Sequence, residues 1–352
     1  MSEKKDLRLS HILIKWYNEY KRELPWRDTN DPYIIWISEI ILQQTRVDQG
    51  YAYFIRFVNQ YPSVDLLAKA EESEVLKLWQ GLGYYSRARN LHATAKMIMN
   101  DYKGVFPRDY KDVLRLKGVG DYTAAAIVSF AYNEPYAVVD GNVYRVLSRV
   151  FAIEVPINSG QGKKIFTEIA TVQLDDTDPA LHNQAIMEFG ALQCVPVSPN
   201  CEVCPASSIC LAYIQHKVGL YPVKEGKHKV KNRYFHYFDI RCKDYMFLHK
   251  RTSKDIWMNL FELPLIETEK EMSLENLYLN NDFNKIFNDV VNINIRYIFQ
   301  IKHVLSHQVI YANFYRIEVE DILIDDEYLK IKIEDVDDYP VSRLVHKYLE
   351  QL

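Results

Sequence analysis

Along the first 216 residues the apolar positions recur at steps of three and four. Leu9, Ile12, Leu13, Trp16, Tyr17 and Tyr20 form one such stripe, and Ile34, Ile37, Ile41 and Leu42 another, as in a helix with one face turned to a core. The second stripe opens on Asp31-Pro32, an N-cap acid followed by a proline whose fixed φ suits the first helical position. Further helical runs are predicted over about 64–79, 86–101, 109–116, 121–132, 141–151, 162–173 and 179–192. Residues 1–216 therefore read as an all-α domain. Between 217 and 233 the pattern stops, and Lys217, Lys224, Lys227, Lys229, Lys231 and Arg233 stand against the single acid Glu225, as in a basic linker. Beyond it the period changes to two over 234–241, 245–249, 295–301 and 309–317, with helical signals near 273–289 and 341–350. Residues 234–352 read as an α+β domain.

A length of 352 residues suits two domains with real cores. No stretch approaches the ~18 unbroken apolar residues of a membrane span, and the polar start Met1 to Lys5 has no apolar signal region behind it, so a cytoplasmic protein with no membrane partner is expected. Twelve glycines are few, which speaks against collagen-like, linker-rich or Gly-loop nucleotide-binding chains. The net charge of −4 lacks the basic footprint of a nucleic-acid binder.

Four of the five cysteines, Cys194, Cys201, Cys204 and Cys210, fall within 17 positions, separated by six, two and five residues. Without a secretory context such a cluster reads as a metal site, and the spacing leaves zinc and an iron–sulfur cluster equally open. A second signal lies at Gly118-Val119-Gly120 between two helical runs, where two glycines permit a tight hairpin with positive φ. The following helix then begins with free N–H groups that can hold a phosphate without side-chain charge. Two carboxylates stand in unlike settings. Glu39 lies inside an apolar helix, where desolvation raises its pKa, whereas Asp140 opens Asp140-Gly141-Asn142-Val143 at a helix N-terminus, where N–H groups keep it ionised. An acid and an anion side by side are what cleavage at a sugar C1′ requires.

Leu24-Pro25-Trp26-Arg27, Ser38-Glu39-Ile40-Ile41-Leu42-Gln43-Gln44-Thr45, Gly81-Leu82-Gly83-Tyr84-Tyr85-Ser86-Arg87, the hairpin with Tyr122, Val138-Val139-Asp140-Gly141-Asn142-Val143 and the four cysteines occur in one order. In that order they resemble the helix-hairpin-helix DNA glycosylases, and among them the adenine-removing branch, from about residue 10 to the end. The resemblance implies a multidomain chain: an all-α glycosylase domain with an iron–sulfur loop, then an α+β Nudix-related domain. It implies one [4Fe-4S] cluster on Cys194, Cys201, Cys204 and Cys210. Glu39 becomes the acid that protonates adenine, Asp140 the group that stabilises the oxocarbenium ion, and Tyr122 and Asn142 the groups that position them. The adenine must leave the stack to be reached. Arg27, Leu42, Gln43, Gln44, Gly83, Tyr84, Arg87, Gly118, Val119 and Gly120 are the implied DNA contacts, with Gln44 and Tyr84 in or near the stack.

Endonuclease III-like relatives carry a lysine where this chain has Tyr122, and a phenol cannot form their Schiff base. Hydrolysis that stops at the abasic site is therefore expected, ahead of a lyase acting on oxidised pyrimidines or a non-catalytic iron–sulfur DNA binder. In the second domain Leu305, Ser306 and His307 stand where the family commonly has Phe-Ser-His. The resemblance makes them the readers of 8-oxoguanine opposite the adenine, since oxidation turns guanine N7 into a donor that a serine hydroxyl can accept. The implied partner is duplex DNA, bound by a monomer at the bacterial nucleoid. Neither domain is basic: 23 Lys and Arg face 25 Asp and Glu up to residue 216, and 20 face 22 beyond it. Positive charge is expected locally, in the linker and at Arg87 and Arg89, with a shallow salt dependence of binding.

Overall fold

The computed structural model describes residues 8–226, 230–287, 294–320 and 327–351. The polar start, Lys227 and Lys229 of the basic stretch, and the last two positions of the helix expected over 273–289 lie outside them. The chain divides into two compact units, Met1–Ala68 with Ala93–Gly226, and Lys69–His92 with Lys227–Leu352. A single cut at the linker is what the sequence suggests; Lys69–His92 instead belongs with the C-terminal unit. Hydrogen bonds between distant residues make it so. Val341 N donates to Gln80 Oε1 at 3.1 Å, Tyr85 Oη donates to the Val341 carbonyl at 3.2 Å, and Arg89 Nη1 donates to the Met258 carbonyl at 2.8 Å.

The first unit is helical. Arg8–Tyr20, Pro32–Leu42, Tyr110–Leu114, Asp121–Tyr132, Gly141–Val150, Gly160–Gln173 and Pro179–Leu192 form where the apolar stripes lie. The run over 64–79 breaks in two, because Glu71 starts a new helix with a reciprocal cap to Glu74. The sequence pattern assigns nothing to 47–60, where helix Val47–Gln60 forms. Its buried stripe is only Gly50, Phe54 and Phe57, too narrow to stand out among the flanking tyrosines. Helix Pro179–Leu192 packs against Arg8–Tyr20, Gly141–Val150 and Asp121–Tyr132, and Pro32–Leu42 packs on Asp121–Tyr132. These contacts fix the walls of the site. Among the described residues no helix is long and apolar enough to cross a membrane.

The second unit holds a seven-stranded mixed sheet of β1 (Lys231–Cys242), β2 (Tyr245–Lys250), β3 (Phe261–Glu262), β4 (Leu265–Thr268), β5 (Ile295–Val304), β6 (Gln308–Val319) and β7 (Tyr328–Lys332). The order is β3-β2-β1-β6-β5, with β4 on β1 and β7 on β2; β1 and β6 run parallel and the other strand pairs described are antiparallel. Helix Arg343–Leu349 covers one face over Phe235, Tyr237 and Phe314. Helices Leu274–Leu277 and Asn281–Phe287 cover the other over Phe238, Ile240 and Ile317. Covered on both faces, β1 buries the unbroken run Phe235–Ile240. Asp239 at its centre is fully buried and is held by Tyr348 Oη at 2.7 Å and Arg316 Nε at 3.0 Å, which ties β1 to β6 and the last helix.

Candidate active site

Helix Pro32–Leu42 starts as its sequence demands, with Asp31 accepting from Tyr33 N at 2.8 Å and Pro32 in the first turn. The helix buries residues almost all round, so Glu39 is carried inside at 6 % exposure. Burial pushes its carboxyl up to about 7, with a smaller opposing pull from the Tyr122 hydroxyl and a further push from Asp140. Tyr122 Oη donates to Glu39 Oε2 at 2.6 Å, which leaves Oε1 to carry the acid proton. The same burial raises the Tyr122 phenol well above its usual range, so it stays a donor.

Tyr122 comes from the hairpin between helices Tyr110–Leu114 and Asp121–Tyr132. Of the two glycines expected at positive φ, only Gly118 (φ 77) adopts it. Gly120 is extended instead, because it is the N-cap of the second helix, and no side chain caps it. The N–H groups of that first turn therefore stay open to an anion, while buried Val119 pins the turn.

Asp140 is the N-cap of helix Gly141–Val150. Its Oδ1 accepts from Asn142 N at 2.8 Å and Val143 N at 2.7 Å, and its Oδ2 from Asn142 Nδ2 at 2.7 Å. Contrary to the expectation that these groups dominate, burial outweighs them and the Asp140 carboxyl is raised overall. Two residues that no motif singled out hold this corner. Arg145, one turn on from Asn142, donates through Nη2 to Asn142 Oδ1 at 2.8 Å and through Nε to the Cys194 carbonyl at 2.7 Å. Gly190 lies so close that a Cβ there would stand 2.7 Å from that of Asn142. The i, i+3 spacing of Asn142 and Arg145 was a legible signal; the approach of Gly190 was not.

Glu39, Tyr122, Asp140 and Asn142 all line one cavity of about 580 Å³ in the first unit, within the ~300–1,000 Å³ usual for small-molecule sites. No lysine is among its described lining residues. Leu42 forms part of the wall, while Gln43 turns away to donate to Thr123 Oγ1 at 3.1 Å. Arg27, implied as a DNA contact, lines the cavity and donates to Glu188 Oε1 and Oε2 at 3.0 and 2.7 Å, alongside Arg22. A fully buried glutamate attracts the nearest cations. Burial would raise Glu188, but the two arginines overturn that and hold it at about 2.

Gln44 is exposed at φ 56, a left-handed conformation uncommon outside glycine and frequent at functional sites. In the second unit, Gly83 (φ 76) and Tyr84 (φ 46) share that conformation, and the Tyr84 ring is 46 % exposed. Arg87 is not the exposed cation expected. It is buried beside the Trp79 and Tyr84 rings, at 5.2 and 5.7 Å, and burial lowers its guanidinium to about 10. Arg89 is half-buried and donates to the Met258 carbonyl. Leu305, Ser306 and His307 form the tight β5–β6 turn, with Ser306 and His307 exposed and Leu305 half-buried against the sheet core. Ser306 Oγ stands 2.5 Å from Tyr84 Oη, which joins two residues 222 positions apart.

Cys194, Cys201, Cys204 and Cys210 line one small pocket in the first unit, with Arg149, Phe189 and Ala206. Among the described residues no three His, Cys, Asp or Glu side chains close to the spacing of a single ion.

Residues 37–169 match the family described as HhH-GPD superfamily base excision DNA repair protein, and residues 236–351 match the NUDIX domain. An adenine DNA glycosylase of Buchnera aphidicola subsp. Baizongia pistaciae is 34 % identical over 307 residues, covering 86 % of this chain and 83 % of that one. The chain belongs to the adenine DNA glycosylase family. A Mus musculus member is 41 % identical over 210 residues, 57 % of this chain and 41 % of that longer one. Among solved structures, a thermostable thymine-DNA glycosylase is 33 % identical with a TM-score of 0.55, covering 59 % of this chain and 95 % of its own. An endonuclease III–DNA complex, at 22 % identity and TM-score 0.52 over 61 % of this chain and 99 % of its own, shares the helical fold.

Proposed function

We propose that this enzyme flips adenine out of duplex DNA where it faces 8-oxoguanine or guanine, and hydrolyses its glycosidic bond. The convergence of Glu39, Tyr122, Asp140 and Asn142 on one cavity carries the reading. With its carboxyl at about 7, Glu39 keeps its proton in a large share of molecules at neutral pH and can deliver it from Oε1 to the adenine ring. Loss of the base leaves a cationic sugar. Asp140, held by three hydrogen bonds on a rigid helix cap, supplies the compensating negative charge before water attacks C1′. Tyr122 keeps Glu39 oriented and Asn142 does the same for Asp140. The absence of a lysine among the described lining residues supports a reaction that ends at the abasic site.

Hairpin amides, with exposed Gln44 and Tyr84, fit backbone binding and a vacated stack. Ser306 and His307 at the β5–β6 turn are the assigned readers of 8-oxoguanine; half-buried Leu305 serves the turn more than a base. The four cysteines fit a [4Fe-4S] cluster. Four soft thiol donors line one small apolar pocket, beside a buried cation, Arg149, that offsets the charge of the loaded site. The cluster's contribution here is to fold the 194–210 loop against helix Gly141–Val150.

Single-turnover assays on duplexes with adenine opposite 8-oxoguanine, guanine or thymine test this reading. Adenine release should be fastest opposite 8-oxoguanine, with strand breaks appearing only after alkali. Nicking without alkali would overturn the hydrolytic assignment. Replacing Ser306 and His307 together by alanine should lower the preference for 8-oxoguanine over guanine by roughly five- to hundredfold, the cost of about 1–3 kcal/mol for unmade hydrogen bonds. An unchanged rate ratio would place that readout elsewhere.

A further inference from the structure

Arg149 stands in the last turn of helix Gly141–Val150 with 2 % exposure, and no step of the reaction uses it. Its guanidinium is bound from every side. Nη1 donates to Cys194 Sγ at 3.4 Å and to the Val195 carbonyl at 2.8 Å, Nη2 to the Pro196 carbonyl at 3.0 Å, and Nε to the Tyr221 carbonyl at 3.2 Å. At the other end of the cysteine set, Cys210 Sγ donates to the Arg149 carbonyl at 3.5 Å. One residue thus touches the first and the last of the four thiols. The two contacts respond oppositely to ligation. Cys210 must give up the proton it donates, so that bond vanishes, whereas an N–H from a cation to Cys194 Sγ strengthens once the sulfur carries negative charge.

From this geometry we propose that Arg149 is the positioning residue that sets the reduction potential of the cluster held by these cysteines, through a charge-assisted N–H to Cys194 Sγ. The inference rests on the iron–sulfur reading of the cysteine set. A buried positive charge and a hydrogen bond to a ligating sulfur both favour the form with one more electron, and so raise the potential. The first cluster loop, 195–200, carries no basic residue of its own. Arg149 supplies from the helix the charge that loop lacks.

The test is made on the full-length protein with its cluster. Iron and sulfide analysis of the wild type comes first. Four irons and four sulfides per chain support the cluster reading, and zinc in their place removes that reading, and this inference with it. Electrochemical titration of Arg149→Gln should then show a potential lowered by the equivalent of about a tenfold change in the oxidised-to-reduced ratio, ~59 mV for one electron. Arg149→Lys ends short of the Nη1 position and keeps the charge without the contact, so its shift should have the same sign and be smaller. A wild-type potential in either variant that retains its cluster would overturn the proposal. Where neither retains it, the wild type decides. On exchange into D2O the terminal Fe–S stretching bands in its resonance Raman spectrum should move, and bands that stay fixed would rule out an N–H donor to the sulfur.

Discussion

Glu39→Gln is expected to slow adenine release by roughly 10²–10⁴-fold while binding to the mismatched duplex stays near wild type. The amide keeps the size of the carboxyl and can still accept from Tyr122 Oη, now at 2.6 Å from Oε2, so the local packing survives. Only the transferable proton is lost. Single-turnover rates with a parallel binding titration separate the two effects, and retained turnover would remove Glu39 as the acid. The pH profile gives a second check with a definite sign. The acid works protonated, so the wild-type rate should fall as pH rises through about 7. Stability follows the same group. Because folding lifts the Glu39 carboxyl above the ordinary glutamate range, its ionisation destabilises the fold increasingly from that range up to about 7. Above that the penalty is complete, at roughly 3 kcal/mol. Glu39→Gln should therefore be more stable than wild type at pH 8 and nearly equal to it at pH 4, read by thermal or urea unfolding. An inactive but stabilised variant is the signature of a group kept for chemistry.

Asp140→Asn should cost roughly 10²–10³-fold in the same assay, because an amide cannot neutralise a developing sugar cation. Asparagine is as good an N-cap as aspartate, so the bonds from Asn142 N and Val143 N persist, and because burial raises the Asp140 carboxyl too, the unfolding midpoint at neutral pH should not fall. A variant that lost activity and stability together would show that Asp140 serves the helix rather than the reaction. Full activity with an amide at 140 would move the cation-stabilising charge to another residue.

The burial of Glu39 and the capping by Asp140 were both legible along the chain, for different reasons. An isolated glutamate in an otherwise apolar helix has few alternatives to burial, and Asp140 ahead of Gly141 has the form of a helix cap. Their sharing of one cavity was not legible, since it depends on how helices Pro32–Leu42, Asp121–Tyr132 and Gly141–Val150 pack. The positive charge expected at Arg87 turned inward for a related reason. The long aliphatic arm of arginine lets the fold use Arg27 and Arg87 internally. One goes on Glu188, the other against Trp79 and Tyr84.

The sequence by itself determined the helical period up to 216, the alternation beyond 233, the caps at Asp31 and Asp140, and the crowding of four cysteines. All of these are local, written in the spacing of neighbouring side chains. Only the tertiary structure decided that Lys69–His92 belongs with the C-terminal unit, that Tyr84 meets Ser306, that Glu188 claims Arg27, and that burial outweighs the helix cap at Asp140. Each of these joins residues far apart in the chain or depends on how much water the packed fold excludes, and neither quantity is fixed until the whole core has formed.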